Sequence, residues 1–340
     1  MTITDYFNEA ITQNASDVHV VSGEKPMIRI HGVLTPVTED VLDAAYVEKE
    51  IQSIVSEEQY ATFLKHFELD FGYAHNGIRF RVNLHKQEGG FGLSARLIPK
   101  NIPSPEDIAF EPQLHDFIAL EHGLVLVVGP TGHGKSTTLA CLIDQINSTR
   151  KSHIITIEDP IEFVFESKQS LVEQREIGTD THSFDLALKH VLRQDPDVIL
   201  IGEMRDPETI ATALTAAETG HLVFSTLHTA SAPEAIERIV DVFDGAKQKQ
   251  ILIQLASVLR GVVAQHLLPS TNGKRVAARE ILINTPAAAN IIRQNAIAQL
   301  HSVMQTGAEE GMVPMKKAVE KLVKEGVVDR ESILDKSLLG

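Results

Sequence analysis

Gly129-Pro130-Thr131-Gly132-His133-Gly134-Lys135-Ser136 is the stretch from which the fold is read. It follows the apolar run Leu124-Val125-Leu126-Val127-Val128, which reads as a buried strand. It precedes Thr137 to Ile146, which reads as a helix. In that context G-x-x-x-x-G-K-[ST] is a phosphate-binding loop: the glycines let successive N–H groups turn inward, and the helix N-terminus adds its positive dipole end. Lys135 can reach the β- and γ-phosphates of a nucleotide, and the Ser136 hydroxyl can ligand Mg²⁺. The residues from Gly129 through Thr137 are therefore the expected nucleotide-binding stretch. A tight glycine turn joining strand to helix is the plainer alternative.

Downstream of about residue 106, strand-like and helix-like segments alternate. Strands are expected at His153–Ile157, Val198–Ile201 and Leu222–Thr226, and helices at Ser183–Arg193 and Pro207–Glu218. Asp206, Pro207 and Gly220 bracket the last of these in the usual cap, first-position and terminator order. Ser231 and Glu234 form a capping-box pattern. The alternation implies an α/β domain with a parallel sheet. From about residue 247 the chain reads as mostly helical, with one strand, Val276–Ile283. Upstream, residues 1–98 mix helices with strands, and the turns Asn76-Gly77 and Gly89-Gly90 mark antiparallel hairpins. This first unit reads as α+β. Between the two lies Pro99-Lys100-Asn101-Ile102-Pro103-Ser104-Pro105, a linker at 99–105 whose prolines resist helix and central strand.

Composition narrows the function. The 340 residues suffice for two domains, and the net charge of -15 argues against a broad nucleic-acid-binding surface. The single cysteine, Cys141, excludes an internal disulfide and reads as core packing. The start, Met1 to Ala10, does not read as a signal peptide, and no apolar run is long enough to span a membrane. A cytoplasmic enzyme is expected.

Ligands of open α/β sheets sit beyond the carboxyl ends of the strands. The polar residues there are Glu158-Asp159-Pro160-Ile161-Glu162, Gly202-Glu203-Met204-Arg205-Asp206 and Leu227-His228-Thr229. Hydrolysis of ATP needs a carboxylate to orient water and a group that senses the γ-phosphate. Glu203 and Glu162 suit the first role and His228 the second; helix capping or ion pairing is the alternative for each. Mg²⁺ is expected on Ser136 with Glu203, or held through water by Glu203 or Asp159. His182, His190 and His221 have no ligand-like spacing.

Four blocks together resemble the motor ATPases of type II secretion and type IV pili. They are the phosphate loop, Ile155 to Glu162, Leu192 to Asp206, and Gly220 to Thr229. Ala15-Ser16-Asp17-Val18-His19 and Ala288-Ala289-Asn290-Ile291-Ile292-Arg293 extend the resemblance nearly end to end, on the side of the retraction motors. It implies a PAS-like domain over 1–98, the 99–105 linker, and a RecA-like ATPase domain over 106–340. It further implies a homo-hexamer with ATP between subunits, at the inner face of the cytoplasmic membrane beside a pilus platform protein. Glu162, Glu203 and His228 are implied to be catalytic, with Arg81 and Arg96 acting from a neighbouring subunit. The implied output is pilus retraction. Pilus assembly or type II secretion is the alternative; a nucleic-acid translocase and a regulatory subunit that scarcely hydrolyses ATP are more remote. Two departures stand out: His133 replaces a usual serine, and Gln294-Asn295-Ala296 follows the arginine of the C-terminal motif in place of an acidic, glycine-containing stretch.

Overall fold

The computed structural model describes residues 1–98, 101–335 and 338. The chain divides into two compact units, Met1–Asn101 with Pro160–Val164, and Ile102–Asp159 with Phe165–Gly340. Pro99 and Lys100, the first residues of the expected linker, lie outside the described residues.

The first unit runs α1 (Ile3–Thr12), β1 (Asp17–Val21), β2 (Met27–Ile30), β3 (Val33–Pro36), α2 (Ala44–Gln52), α3 (Glu57–His66), β4 (Glu68–His75), β5 (Ile78–Gln87) and β6 (Gly90–Ile98). Its six-stranded sheet has the order β3-β2-β1-β6-β5-β4, with antiparallel neighbours. Alternation along the strands sends Val18, Val20, Phe80, Val82, Leu84 and Leu93 into the core, where Phe7 of α1 stacks on Phe80 at 4.6 Å. Glu50 of α2 accepts the free Ile3 N–H at the start of α1, 2.6 Å away. Polar side chains take the alternate positions.

Two-residue turns with positive φ at both positions close three of the hairpins: His31-Gly32, Asn76-Gly77 and Glu88-Gly89. Asn76-Gly77 is the turn expected from sequence. The next turn lies one residue earlier than Gly89-Gly90, because the type I′ geometry takes Glu88 into the left-handed region and leaves Gly90 as the first paired residue of β6. The His31-Gly32 hairpin and β3 were not anticipated; a histidine before glycine carries a weaker turn signal than Asn-Gly.

The second unit contains α4 (Pro112–Ile118), β7 (Gly123–Val128), α5 (Lys135–Thr149), β8 (His153–Glu158), β9 (Leu171–Glu176), α6 (Phe184–Val191), β10 (Val198–Ile201), α7 (Pro207–Glu218), β11 (Leu222–Leu227), α8 (Ala232–Asp241), α9 (Gly245–Val258), β12 (Leu259–Pro269), β13 (Arg275–Ile283), α10 (Pro286–Arg293), α11 (Leu300–Thr306) and α12 (Met315–Lys324). The seven-stranded sheet has the order β13-β12-β7-β11-β10-β8-β9, parallel throughout except for the antiparallel edge strand β13. β7 is buried along its whole length. The expected caps of α7 are in place: the Asp206 carboxylate accepts the Thr209 N–H at 2.8 Å, and Gly220 has φ 105°. At α8 the Ser231 hydroxyl accepts the Glu234 N–H, but the Glu234 carboxylate turns to Ala230 N–H rather than closing the reciprocal box. Glu280 of β13 joins two helices to the sheet by accepting the first N–H of α8 (Ala232, 2.8 Å) and of α12 (Met315, 3.4 Å).

The stretch after residue 247 is largely helical, as expected, but it holds one more strand than the expected Val276–Ile283: β12 stands between β13 and β7. Its apolar run does not distinguish helix from buried strand by periodicity. Gly261 decides the packing: a Cβ there would run into the Phe117 ring and come within 3.0 Å of Leu282 O. Gly261→Ala should therefore destabilise the protein by about 1–3 kcal/mol through overpacking. Denaturant unfolding checks this, and an unchanged midpoint would show that Phe117 moves aside freely.

Candidate nucleotide site

The loop between β7 and α5 has the conformation its glycines permit. Gly134 caps α5 at φ 80°, and Gly129 at φ 147° lies so close to Gln265 O that no side chain fits. Helix α5 begins at Lys135, two residues before the expected start, so Lys135 and Ser136 form its first turn. Thr131 is exposed at the loop tip, and Ser136 and Thr137 are half-buried.

Lys135 is buried. Its ammonium donates to Gly129 O at 2.7 Å and Pro130 O at 3.0 Å, and lies 3.4 Å from Nδ1 of His228. An ammonium has protons to give and no lone pair to offer. Against Lys135, Nδ1 of His228 is therefore the acceptor, and Nε2 carries the proton of the neutral ring. Nε2 lies 3.4 Å from Oε2 of Glu203, which also takes Arg205 Nε at 2.7 Å. The ends of β7, β10 and β11 thus bring together Lys135, Glu203 and His228, with the Thr131 hydroxyl 3.4 Å from the imidazole. The 3.4 Å approaches are long for hydrogen bonds. They leave the groups free to change partners when an anion enters.

Other expected residues fall elsewhere. Glu158, at the end of β8, is buried and accepts from Thr156 Oγ1 (2.7 Å) and Gln174 Nε2 (3.2 Å), toward β9. Glu162 is exposed, and its segment groups with the first unit. Arg81 and Arg96 are both exposed and stand directly opposite each other on β5 and β6. Asp17 of β1 is the next residue across and holds Arg96 Nε at 2.8 Å, with Arg29 of β2 beyond it at 3.7 Å. Burial by itself raises the Asp17 carboxyl, but the Ser16 hydroxyl and the Arg96 guanidinium outweigh it, so the pKa lies below the ordinary value. Asp17 and Arg29 were not identified from sequence, since only strand register puts them in one row with Arg96 and Arg81. Cys141 is buried as expected, and burial pushes its thiol up to about 12. Among the described residues no group of three or more His, Cys, Asp or Glu could hold a metal ion.

His133 has partners on β12. Its Nδ1 accepts the Leu267 N–H of β12 at 3.1 Å, and its ring meets the His266 ring edge-on at 5.3 Å. Burial, followed by the nearby His266, Lys135 and Arg275, lowers its pKa below the usual imidazole value.

A parallel sheet with this loop after a central strand, and a carboxylate and an imidazole at the ends of adjacent strands, defines a phosphate-loop nucleotide-binding protein. The chain belongs to the type II/IV secretion system protein family, whose model matches residues 1–336. It is 45% identical over 338 residues to the type IV pilus retraction ATPase PilT of Pseudomonas aeruginosa, covering 99% of this chain and 98% of that protein. It is 46% identical over 309 residues to a twitching motility protein of Neisseria gonorrhoeae, covering 90% and 83%. A crystal structure of the pilus retraction motor PilT with bound ADP superposes with a TM-score of 0.91 at 42% identity, covering 98% of this chain and 96% of that one. No helix among the described residues is long and apolar enough to cross a membrane.

The His133 geometry has a consequence for stability. Because its folded pKa lies below the unfolded value, about 6.5, the unfolded chain takes up the proton first. The stabilisation from neutral His133 is complete above that pH and is lost as pH falls through the lowered folded value. His133→Ser should lack this component. The stability gap between wild type and variant, measured by urea unfolding, should shift against the wild type on going from pH 8 to pH 5. A gap that does not change with pH would mean that the ring titrates as it does in the unfolded chain.

Proposed function

We propose that the chain is a homohexameric motor that hydrolyses ATP with Mg²⁺ and drives disassembly and retraction of a type IV pilus. The observation that carries this is the alignment of Lys135, His228 and Glu203 at the ends of three neighbouring strands. The end-to-end similarity to retraction motors supports the mechanical output.

In this reading Gly129 to Thr137 cradle the phosphates, and Lys135 exchanges its loop carbonyls for β- and γ-phosphate oxygens. Mg²⁺ would be held by the Ser136 hydroxyl and Glu203, with nucleotide oxygens and water completing its shell. Such a site needs only one or two protein ligands, so the sparse donor set fits the ion. The bound ion would neutralise charge developing on the phosphates. Glu203 also orients the attacking water, with Glu162 as a second carboxylate. His228, already turned toward Lys135, responds to the γ-phosphate. Arg81 and Arg96 stabilise the transferred charge from a neighbouring subunit. The chain comprises a PAS-like domain over 1–98 and an ATPase domain over 106–340, joined by the linker at 99–105. The partner is a membrane platform protein, met at the cytoplasmic face.

A motor for pilus assembly or secretion would use the same chemistry with the opposite output. The observation that keeps it in view is the Gln294-Asn295-Ala296 departure at the C-terminal end of α10, where Asn295 adopts φ 55°. A nucleic-acid translocase fits poorly with the net charge of -15.

Lys135→Ala should abolish hydrolysis, and turnover retained in the purified variant would remove the loop from the mechanism. Arg96→Ala should lower turnover by about 10²-fold or more while leaving ADP affinity nearly unchanged. Equal loss of both would argue against a role in trans. Deleting the gene should leave the cells with excess pili; loss of pili would favour assembly. Chelating the divalent metal should stop hydrolysis reversibly, with activity returning on addition of Mg²⁺.

A further inference from the structure

The hairpin β12–β13 carries none of the motif residues, yet it holds the phosphate loop from behind. β12 pairs with β7 only as far as Ala264 opposite Val128, whereas its pairing with β13 continues to Pro269 opposite Arg275. The β12 residues past Ala264 therefore meet the loop that leaves β7 instead of another strand. Gln265 Nε2 donates to His133 O at 2.7 Å, the Leu267 N–H donates to His133 Nδ1 at 3.1 Å, and Arg275 Nη1 donates to Gly132 O at 3.3 Å.

The Gln265 amide has one possible orientation. Its Oε1 accepts from Thr138 Oγ1 on α5 and from Arg279 Nε on β13, each at 2.8 Å. A guanidinium only donates, so the oxygen must face Arg279 and the NH₂ must face the His133 carbonyl. Arg279 is itself 1% exposed. Three of its four other N–H groups donate to Ile108 O (3.0 Å), Ala109 O (3.1 Å) and Glu111 Oε2 (3.0 Å). An apolar side chain would fill the space with less desolvation; the guanidinium adds direction.

That direction reaches the loop through the peptide bond. In a planar trans peptide the C=O of one residue and the N–H of the next point oppositely. Holding His133 O against Gln265 turns the Gly134 N–H, a loop group that a phosphate needs, away from β12. Arg275 fixes Gly132 O, and the His133 N–H that follows it closes the loop on Pro130 O at 3.4 Å.

We propose that Gln265 and Arg279 are positioning residues for nucleotide binding, and that Arg275 assists from the surface. The outer hairpin sets the direction of the loop N–H groups, and Arg279 ties that setting to residues 108–111 near the start of the second unit. The inference rests on reading the loop as a nucleotide site.

Gln265→Glu tests it with almost no change of shape. One oxygen keeps the bonds to Arg279 and Thr138, while the other replaces a donor with an acceptor facing His133 O. ADP titration in the presence of Mg²⁺ should show about tenfold weaker binding in a variant that still unfolds cooperatively and is fully folded at the assay temperature. The loss should fall on the KM for ATP, with kcat at saturation kept within about threefold. Arg275→Ala, at an exposed position, should weaken ADP binding about threefold without touching the fold, and it serves should Gln265→Glu fail to fold. Affinities within twofold of wild type in the folded variants would overturn the inference. So would loss of affinity in a Gln265→Glu variant that is partly unfolded at the assay temperature while Arg275→Ala binds normally. Folded wild type that binds no ADP would instead bring down the nucleotide-site reading, and this inference with it.

Discussion

The second unit depends on one buried ammonium. Placing a cation where little water reaches it costs several kcal/mol unless acceptors surround it. Lys135 is supplied with them by the loop it belongs to, through Gly129 O and Pro130 O. That requirement bends the loop back over the start of α5 and needs glycine at the points of closest approach. It also reaches sideways. Because the ammonium only donates, His228 presents a lone pair to it and a proton to Glu203. Arg205 holds Glu203 by the same carboxylate oxygen. One residue's lack of a lone pair orders the polar groups on three strand ends.

The first unit solves a different problem with the same tools. Arg96 and Arg81 face each other across β5 and β6, an arrangement that like charges disfavour. Asp17 relieves it by drawing Arg96 toward β1, and Arg29 approaches the other carboxylate oxygen. Neighbouring strands thus set two guanidinium groups, Arg96 and Arg29, on a single carboxylate, with Arg81 next to Arg96 in the same row. Arg96 is both exposed and directed. An anion meeting this face would find arginines whose orientation is already set.

Much of this was legible before any coordinates. The phosphate loop was readable because its chemistry demands glycine, lysine and serine at fixed spacing between a strand and a helix. The caps at Asp206, Pro207 and Gly220 were readable because helix ends need specific partners. Glu203 and His228 could be nominated because residues at the ends of parallel strands share one rim of the sheet. Other features had no local signal. β12 is an apolar run whose identity is settled by Gly261 fitting under Phe117, a contact more than a hundred residues away in sequence. Asp17 and Arg29 enter the arginine row only through register, which a one-residue slip would undo. Gln265 and Arg279 looked like ordinary polar residues of a hairpin. Glu162 follows Glu158 by four residues, yet its segment groups with the first unit, a placement that no local pattern announces.

The charge balance is part of the same argument. A chain of net charge -15 repels anions on average, so a site for a polyphosphate must create its own local field. Here Lys135, Arg205 and Arg275 stand close about the loop, and the N-terminus of α5 opens at Gly134. Each of these cations has a partner: carbonyls hold Lys135 and Arg275, and a carboxylate holds Arg205. An arriving phosphate therefore competes for donors already pointed inward, and the cost of ordering them has been met in folding rather than at binding. That accounts for why the supporting contacts come from a hairpin at the edge of the sheet. The loop must be held by its carbonyls from behind if its N–H groups are to face forward.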